Sequence, residues 1–314
     1  MFAITTIFLG AFPLVLAVPF DQPATTIDEL LALGRPVVIA HTGGEDAYPG
    51  STMYGFSESV ADGADMLDLN VVLAGDGTLV VQHDLTVDRT SDGTGDVADM
   101  TFEELHALDI AYWFTLDAGV DHDAAASEYL YRGVRTGEVA PPAGYTADDF
   151  GMPRLEDLLE AFPEVPLNVE IKDEGERGAD AADAVIELVR DRGRADAVVL
   201  SSFDDSVIEH VMSTAPDIET SPGPLAAAEF FFDGTPLPDG QRILQLPPVY
   251  GDLEVLTPEN VAAAHEAGYV VWVWPNDRDL ENEEAYLDFL DQGIDGLNIN
   301  QPAEAVAAVE AWIG

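Results

Sequence analysis

Two histidines stand where the chain changes rhythm. His41 follows the apolar run Val37–Ala40 and precedes Gly43-Gly44, and His83 follows the apolar residues 79–82 and precedes Asp84. An apolar run that ends on a polar residue and then breaks at glycine reads as a buried parallel strand handing a side chain to a turn. Between the histidines lies a second run, Met66–Leu73, with Asp68 and Asn70 two residues apart. Alternation along a strand points both side chains to one face. Glu170 and Lys172 repeat that spacing on a third apolar run, and Trp272 and Trp274 do so late in the chain. Two imidazoles, two acids, an amide and an ammonium brought to one end of a sheet would form a site and not merely a core. A layer of hydrogen-bonded barrel residues is the plainer reading of Asp68 and Asn70 from spacing alone.

The elements that must position these residues follow from periodicity. Residues 53–61 read as a helix, with Met53, Phe56 and Val60 on one face. Asp76-Gly77 makes a tight turn, so residues 79–82 return as the second arm of a hairpin. Thr101 to Glu104 is a capping box. From Leu155 onward, helices and short apolar runs alternate, with a weakly marked strand near Ile218 and a short helix at 224–231. Setting the hairpin arm aside leaves eight strands, which predicts an α/β fold, a (β/α)8 TIM barrel over residues 36–312, with a doubly wound sheet as the lesser alternative. Residues 84–153, with irregular spacing, clustered aromatics and Pro141-Pro142, read as an insertion after the second barrel strand, folded over the mouth.

Composition narrows the partners. A chain of 314 residues with 47% hydrophobic content can bury a full core. The formal net charge of −48 excludes nucleic acid, whose phosphates demand a basic footprint, and disfavours anionic membranes. The acids are spread along the chain, so a globally acidic, salt-adapted surface is expected. Without cysteine there is no disulfide, zinc thiolate or cysteine nucleophile. Residues 1–18 are almost wholly apolar, with Val15 and Ala17 at the −3 and −1 positions of a cleavage site, but without a basic leader and interrupted by Pro13. They read as a signal peptide or N-terminal anchor, placing the protein outside the cytoplasm, with no stable membrane insertion after processing. Oligomeric state is not legible.

The order strand–His41-x-Gly-Gly, Pro49-x-x-Thr52, Gly63-Ala-Asp-x-x-Asp68-x-Asn70-Val, Asp76-Gly77, Val80-Val-x-His83-Asp84 and Asp88-Arg-Thr resembles the glycerophosphodiester phosphodiesterases. The resemblance continues through Val169-Glu-Ile-Lys172, Ser201-Ser-Phe203, Trp272-x-Trp-Pro-Asn-Asp277 and Gly293-Ile-Asp-Gly296. It implies a barrel enzyme that hydrolyses a small phosphodiester to glycerol 3-phosphate and an alcohol. By the same resemblance, His41 and His83 are the acid–base pair, Asp68, Asn70 and Glu170 hold a divalent cation, and Lys172 contacts phosphate. Oxygen ligands suit Ca²⁺ or Mg²⁺. Lys172 is the only lysine in the chain, so in so acidic a protein it and the metal are the expected positive charges against the phosphate. Trp272 is expected in the core, and Trp274 at the mouth, against the alcohol.

Three positions depart from the family pattern. Thr42 replaces the arginine after the first histidine, Gly50 the glutamate of Pro-Glu-Asn-Thr, and Asn70 the aspartate of Glu-x-Asp. These favour, as an alternative, a degenerate barrel that binds a phosphoester or a cation without turnover; a same-fold alternative is a related phospholipase D-like lyase. The lyase would need an apolar, membrane-facing rim, which the sequence does not display. An arginine at position 42 is expected to face the phosphate and to raise activity.

Overall fold

The computed structural model describes residues 23–314. The apolar N-terminal stretch read as a leader or anchor lies outside them. No helix among the described residues is long and apolar enough to cross a membrane.

Eight parallel strands form the predicted barrel. In chain order they are Val37–Ala40, Met66–Leu73, Leu167–Ile171, Val198–Ser201, Glu219–Thr220, Ile243–Leu246, Val270–Val273 and Gly296–Ile299. The first strand pairs with both the second and the eighth, and the sheet runs outward from there to the fifth and the sixth. The seam between fifth and sixth is bridged by side chains. Gln241 Nε2 donates to Thr220 Oγ1 at 3.2 Å, and Ser221 Oγ donates to the Ile243 carbonyl at 3.1 Å. Leu79–Val81 is antiparallel to the second strand, as the hairpin reading expects.

Alternation sorts the strand residues into two populations. Outward-facing Leu67, Leu69, Val169, Leu200, Val271 and Leu297 pack under the helices, where they form two apolar clusters on the two sides of the barrel. Inward-facing residues change character along the axis. At the amino ends Val37, Ile39, Met66, Val199, Ile243 and Trp272 form an apolar plug, closed from below by Ile27 and Leu30 of the short helix Ile27–Leu31. Trp272 is therefore core, as expected. It fits because Gly296 lies opposite in register, where a Cβ would come within 2.5 Å of the indole. One layer up, the barrel strands carry Asp68, Asn168, Gln245 and Asn298, and the next layer brings Asn70, Glu170 and the loop residues beyond the strands. Polar groups thus rise toward the carboxyl ends, where such barrels place their sites.

The insertion packs through aromatic residues onto the helix Met53–Ala61. Phe150 stacks on Tyr54, ring centroids 4.9 Å apart, and Tyr131 and Tyr145 close around it. It flanks the loops that carry His41 and His83. Among the described residues, none of the insertion lines the cavity that it was expected to cover; part of the cavity wall comes instead from elements after the fifth and sixth strands, the helix Pro224–Asp233 and the small hairpin Val249–Tyr250 with Leu253–Glu254.

Candidate active site

At the carboxyl ends of the strands, a cavity of about 420 Å³ is floored by His41, Asp68, His83, Glu170 and Lys172. The two imidazole rings meet edge to face with centroids 6.2 Å apart. Each is held by its Nδ1. That of His41 lies 2.8 Å from Asn300 Oδ1, and that of His83 lies 2.7 Å from Asp84 Oδ1. Both partners are acceptors, so both Nδ1 atoms carry the proton of the neutral ring, leaving both Nε2 atoms to the chemistry. His41 Nε2 lies 3.9 Å from Asp68 Oδ2, and His83 Nε2 lies 3.4 Å from Lys172 Nζ.

Burial works to lower the pKa of His41, but Glu45, Asp68 and Glu281 and the bond to Asn300 outweigh it, and the net direction is upward. Burial pushes Asp68 up against the opposing pull of His41, while Asn168 Nδ2 donates to Asp68 Oδ1 and fixes the carboxylate. Burial would also raise Asp84, but hydrogen bonds from His83 and Arg89 carry it well below the usual carboxylate range. Arg89 Nε reaches Asp84 Oδ2 at 2.6 Å.

The structure brings together six of the seven residues singled out above, and places the seventh beside them. Trp274 lines the cavity with its ring edge-on to Phe203, centroids 5.9 Å apart, and Lys172 Nζ sits 5.8 Å from the Phe203 centroid. Lys172 also forms an ion pair with Glu170 at 2.7 Å. Asn70 is wholly buried, does not line the cavity, and neither atom of its amide has a partner. It lies in register with Glu170. An orphaned carbonyl between two acids suits a hard cation, although among the described residues no three His, Cys, Asp or Glu side chains are grouped to hold one. The remaining histidines are ordinary, as read. His106 binds the Met152 carbonyl, His122 stacks on Trp113, and His210 and His265 pair with Asp183 and Asp295.

Sequence reasoning missed four residues. Glu281 Oε2 accepts from Tyr286 Oη at 2.6 Å and from the Asn300 backbone N–H at 2.9 Å, so a buried carboxylate stands behind the residue that orients His41. Burial pushes Glu281 up to about 7. Asn300 itself carried no signal beyond its alternation with Asn298. Glu45 folds beneath Thr42, whose hydroxyl lies 3.4 Å from Glu45 Oε2. Burial would raise its pKa, but His41, Arg89 and Arg278 outweigh that and lower it. Its neighbour Asp46 is pushed up to about 6 by burial.

Two expectations change. Thr42 is buried, with a left-handed backbone (φ 48°), and does not line the cavity, so an arginine there would meet the Glu45 carboxylate before any phosphate. The apolar rim that the sequence did not display is present: Phe203, Leu225, Phe232, Tyr250 and Leu253 are all more than half exposed, and Phe203, Phe232, Tyr250 and Leu253 line the cavity.

Paired histidines, acids and a lysine thus meet at the carboxyl end of a parallel barrel. The Glycerophosphoryl diester phosphodiesterase family profile matches residues 41–304, and the chain belongs to that family. It is 26% identical over 280 residues to a glycerophosphodiester phosphodiesterase of Caldanaerobacter subterraneus, covering 88% of this chain and 98% of that one. A shorter match, 42% over 89 residues, links it to a probable glycerophosphodiester phosphodiesterase of Mycobacterium tuberculosis, of which it spans 32%. Among solved structures, a putative glycerophosphoryl diester phosphodiesterase from Silicibacter pomeroyi has a TM-score of 0.68 at 23% identity, over 88% of this chain and 94% of that one. A phosphodiesterase from Oleispira antarctica, solved with the product sn-glycerol-3-phosphate, has a TM-score of 0.66 at 20% identity, over 89% and 99%. Both confirm the barrel.

Proposed function

We propose that the protein hydrolyses glycerophosphodiesters to glycerol 3-phosphate and an alcohol by acid–base catalysis between His41 and His83. The observation that carries this is the pair of Nε2 atoms turned into one cavity, each imidazole anchored through Nδ1. Family membership supplies the substrate class, and the group that each Nε2 faces, Asp68 for His41 and Lys172 for His83, supplies its role. His41, ringed by Glu45, Asp68 and Glu281, holds its proton and acts as the acid toward the leaving alkoxide. His83, whose Nε2 faces Lys172 Nζ at 3.4 Å, takes the other role and acts as the base toward water. Water adds to phosphorus, the bond from phosphorus to the alcohol oxygen breaks, and that oxygen leaves with the His41 proton.

Charge balance supports a metal requirement. Glu45, Asp46, Asp68, Asp84, Glu170 and Glu281 surround the floor, and the cations beside them, Arg89, Lys172 and Arg278, are each already held by a carboxylate. Such a floor repels a phosphodiester anion. Asp68, Glu170 and the Asn70 carbonyl would hold Mg²⁺ or Ca²⁺, which when bound neutralises phosphate charge and polarises the phosphorus. The carbonyl in place of a third carboxylate favours Ca²⁺, and Lys172 supplies the second positive contact. Export, by the apolar residues 1–18, belongs to the same reading.

Release of glycerol 3-phosphate from glycerophosphocholine, lost with chelator and restored by a divalent cation, tests this. His41→Asn should recover most of its rate on a nitrophenyl phosphodiester, whose leaving group needs no acid, whereas His83→Asn should not. No release under any cation would instead favour the binding-only barrel.

A further inference from the structure

The floor explains the phosphate but not the wall. Helix Pro224–Asp233 contains Leu225, three alanines and three phenylalanines, and none of its ten residues is buried. A helix this apolar is ordinarily enclosed on all sides. Phe230 and Phe231 pack in part on the barrel, while Phe232 is 67% and Leu225 59% exposed. Facing the same cavity, the hairpin Val249–Tyr250 with Leu253–Glu254 is exposed throughout, and Tyr250, Leu253 and Trp274 continue the apolar lining. Glu254 is the one acid in that wall. Glycerol and a short alcohol, both hydrophilic, leave such a surface without a partner.

We propose that the substrate is an amphipathic phosphodiester with one long acyl or alkyl chain, a lysophospholipid in chemical class. Its phosphate sits over His41, His83 and Lys172, and its chain lies along Pro224, Phe231, Phe232, Tyr250 and Leu253. This rests on the hydrolytic reading above and names the substrate of that same site. Polar and apolar ends of one continuous cavity match the two ends of one molecule. The charge of −48 disfavours an anionic bilayer as the occupant, so the chain is taken from a lipid monomer. Water again adds to phosphorus, and the products are the acylated glycerol 3-phosphate and the head-group alcohol.

The test is a series of lysophosphatidylcholines with acyl chains of increasing length, each held below its critical micelle concentration, with glycerophosphocholine as the chainless member. kcat/KM should rise roughly two- to fourfold per added methylene until the wall is covered. Phe232→Ser with Leu253→Ser, both at exposed positions, should flatten that slope. A slope of zero in the native protein would overturn the proposal. With the concentration then carried past that threshold, a rate that rises only above it would overturn the proposal in favour of a docked lipid surface. With the head group varied at fixed chain length, rates that follow the head group alone would overturn it in favour of an alcohol pocket. Calorimetric binding of alkylphosphocholines separates this from the hydrolytic reading. Affinity that climbs with alkyl length in a protein without turnover would retain the apolar site and reject the hydrolysis, whereas indifference to length would reject the site itself.

Discussion

Glu281 gives the sharpest handle on how the site is held. Its carboxylate is buried behind Asn300, and one oxygen, Oε2, accepts both the Tyr286 hydroxyl and the Asn300 N–H. Glu281→Gln keeps an oxygen there for both donors and removes the charge. Burial raises the native pKa from 4.5 to about 7. Between those values the folded protein holds a proton that the unfolded chain has released, so stability falls as pH rises through the window. At about 1.4 kcal/mol per pH unit, the cost of ionising Glu281 reaches a ceiling of roughly 3 kcal/mol above pH 7. In a domain of this size the glutamine variant should therefore melt on the order of 5–10 °C higher at pH 8. At pH 4.5 the two proteins should nearly coincide. The wide acidic surface contributes equally to both, so the difference isolates one group. Activity gives a second readout, because the ionised Glu281 helps to raise His41. Without it, the alkaline limb of kcat/KM, where the acid loses its proton, should move to lower pH. A melting difference of the same size at pH 5 and pH 8 would refute the reasoning.

Unfolding midpoints should rise strongly with added salt, since 60 acids face 12 lysines and arginines. A midpoint indifferent to ionic strength, with metal saturating, would remove the salt-adapted reading. Lys172→Met should cost on the order of a thousandfold in kcat/KM, read against an unchanged circular dichroism spectrum, because it takes away the one cation on the cavity floor. Asn70→Asp places a carboxylate in a wholly buried position beside Glu170. The metal-free variant should melt below the native protein and gain more from a divalent cation, with calorimetry showing tighter binding. Glu170→Gln should abolish metal-dependent turnover.

The barrel was legible because inward positions carry their own gradient. Reading every second residue, Met66 gives way to Asp68 and Asn70, and Trp272 to Trp274, so period and polarity together mark both the strand and the end at which the site lies. His41 and His83 stood out because each ends an apolar run. Asn300 extends the same alternation on the eighth strand, after Gly296 and Asn298, and that pattern could have found it. What joins it to His41 is the closure of the sheet across 259 positions, which no local window contains. The apolar wall was misjudged for a different reason. Phe230, Phe231 and Phe232 are consecutive, and neighbours on a helix lie about 100° apart, so one packed face cannot take all three. Read that way, the run itself places an aromatic ring in solvent.

Thr42 and Gly50, which in the sequence look like two separate losses from the family pattern, are one rearrangement in the structure. Thr42 turns left-handed, and the chain reverses so that the Ser51 N–H bonds the Thr42 carbonyl at 2.7 Å. Position 50 is thereby brought against Glu45, where a Cβ would lie 2.9 Å from Glu45 Cβ and 3.1 Å from the Thr42 hydroxyl. The space that a side chain at 50 would fill is taken by the Glu45 side chain, and the two cannot both be present without displacement. A carboxylate therefore reaches this corner from five residues earlier in the chain. Arg278, 3.3 Å away on the loop after the seventh strand, pairs with it. Two motif positions can thus lose their expected residues while the corner keeps both an acid and a guanidinium, each drawn from a loop. Loops carry no periodicity that would announce such an exchange, which is why the fold could be read from the sequence and this corner could not.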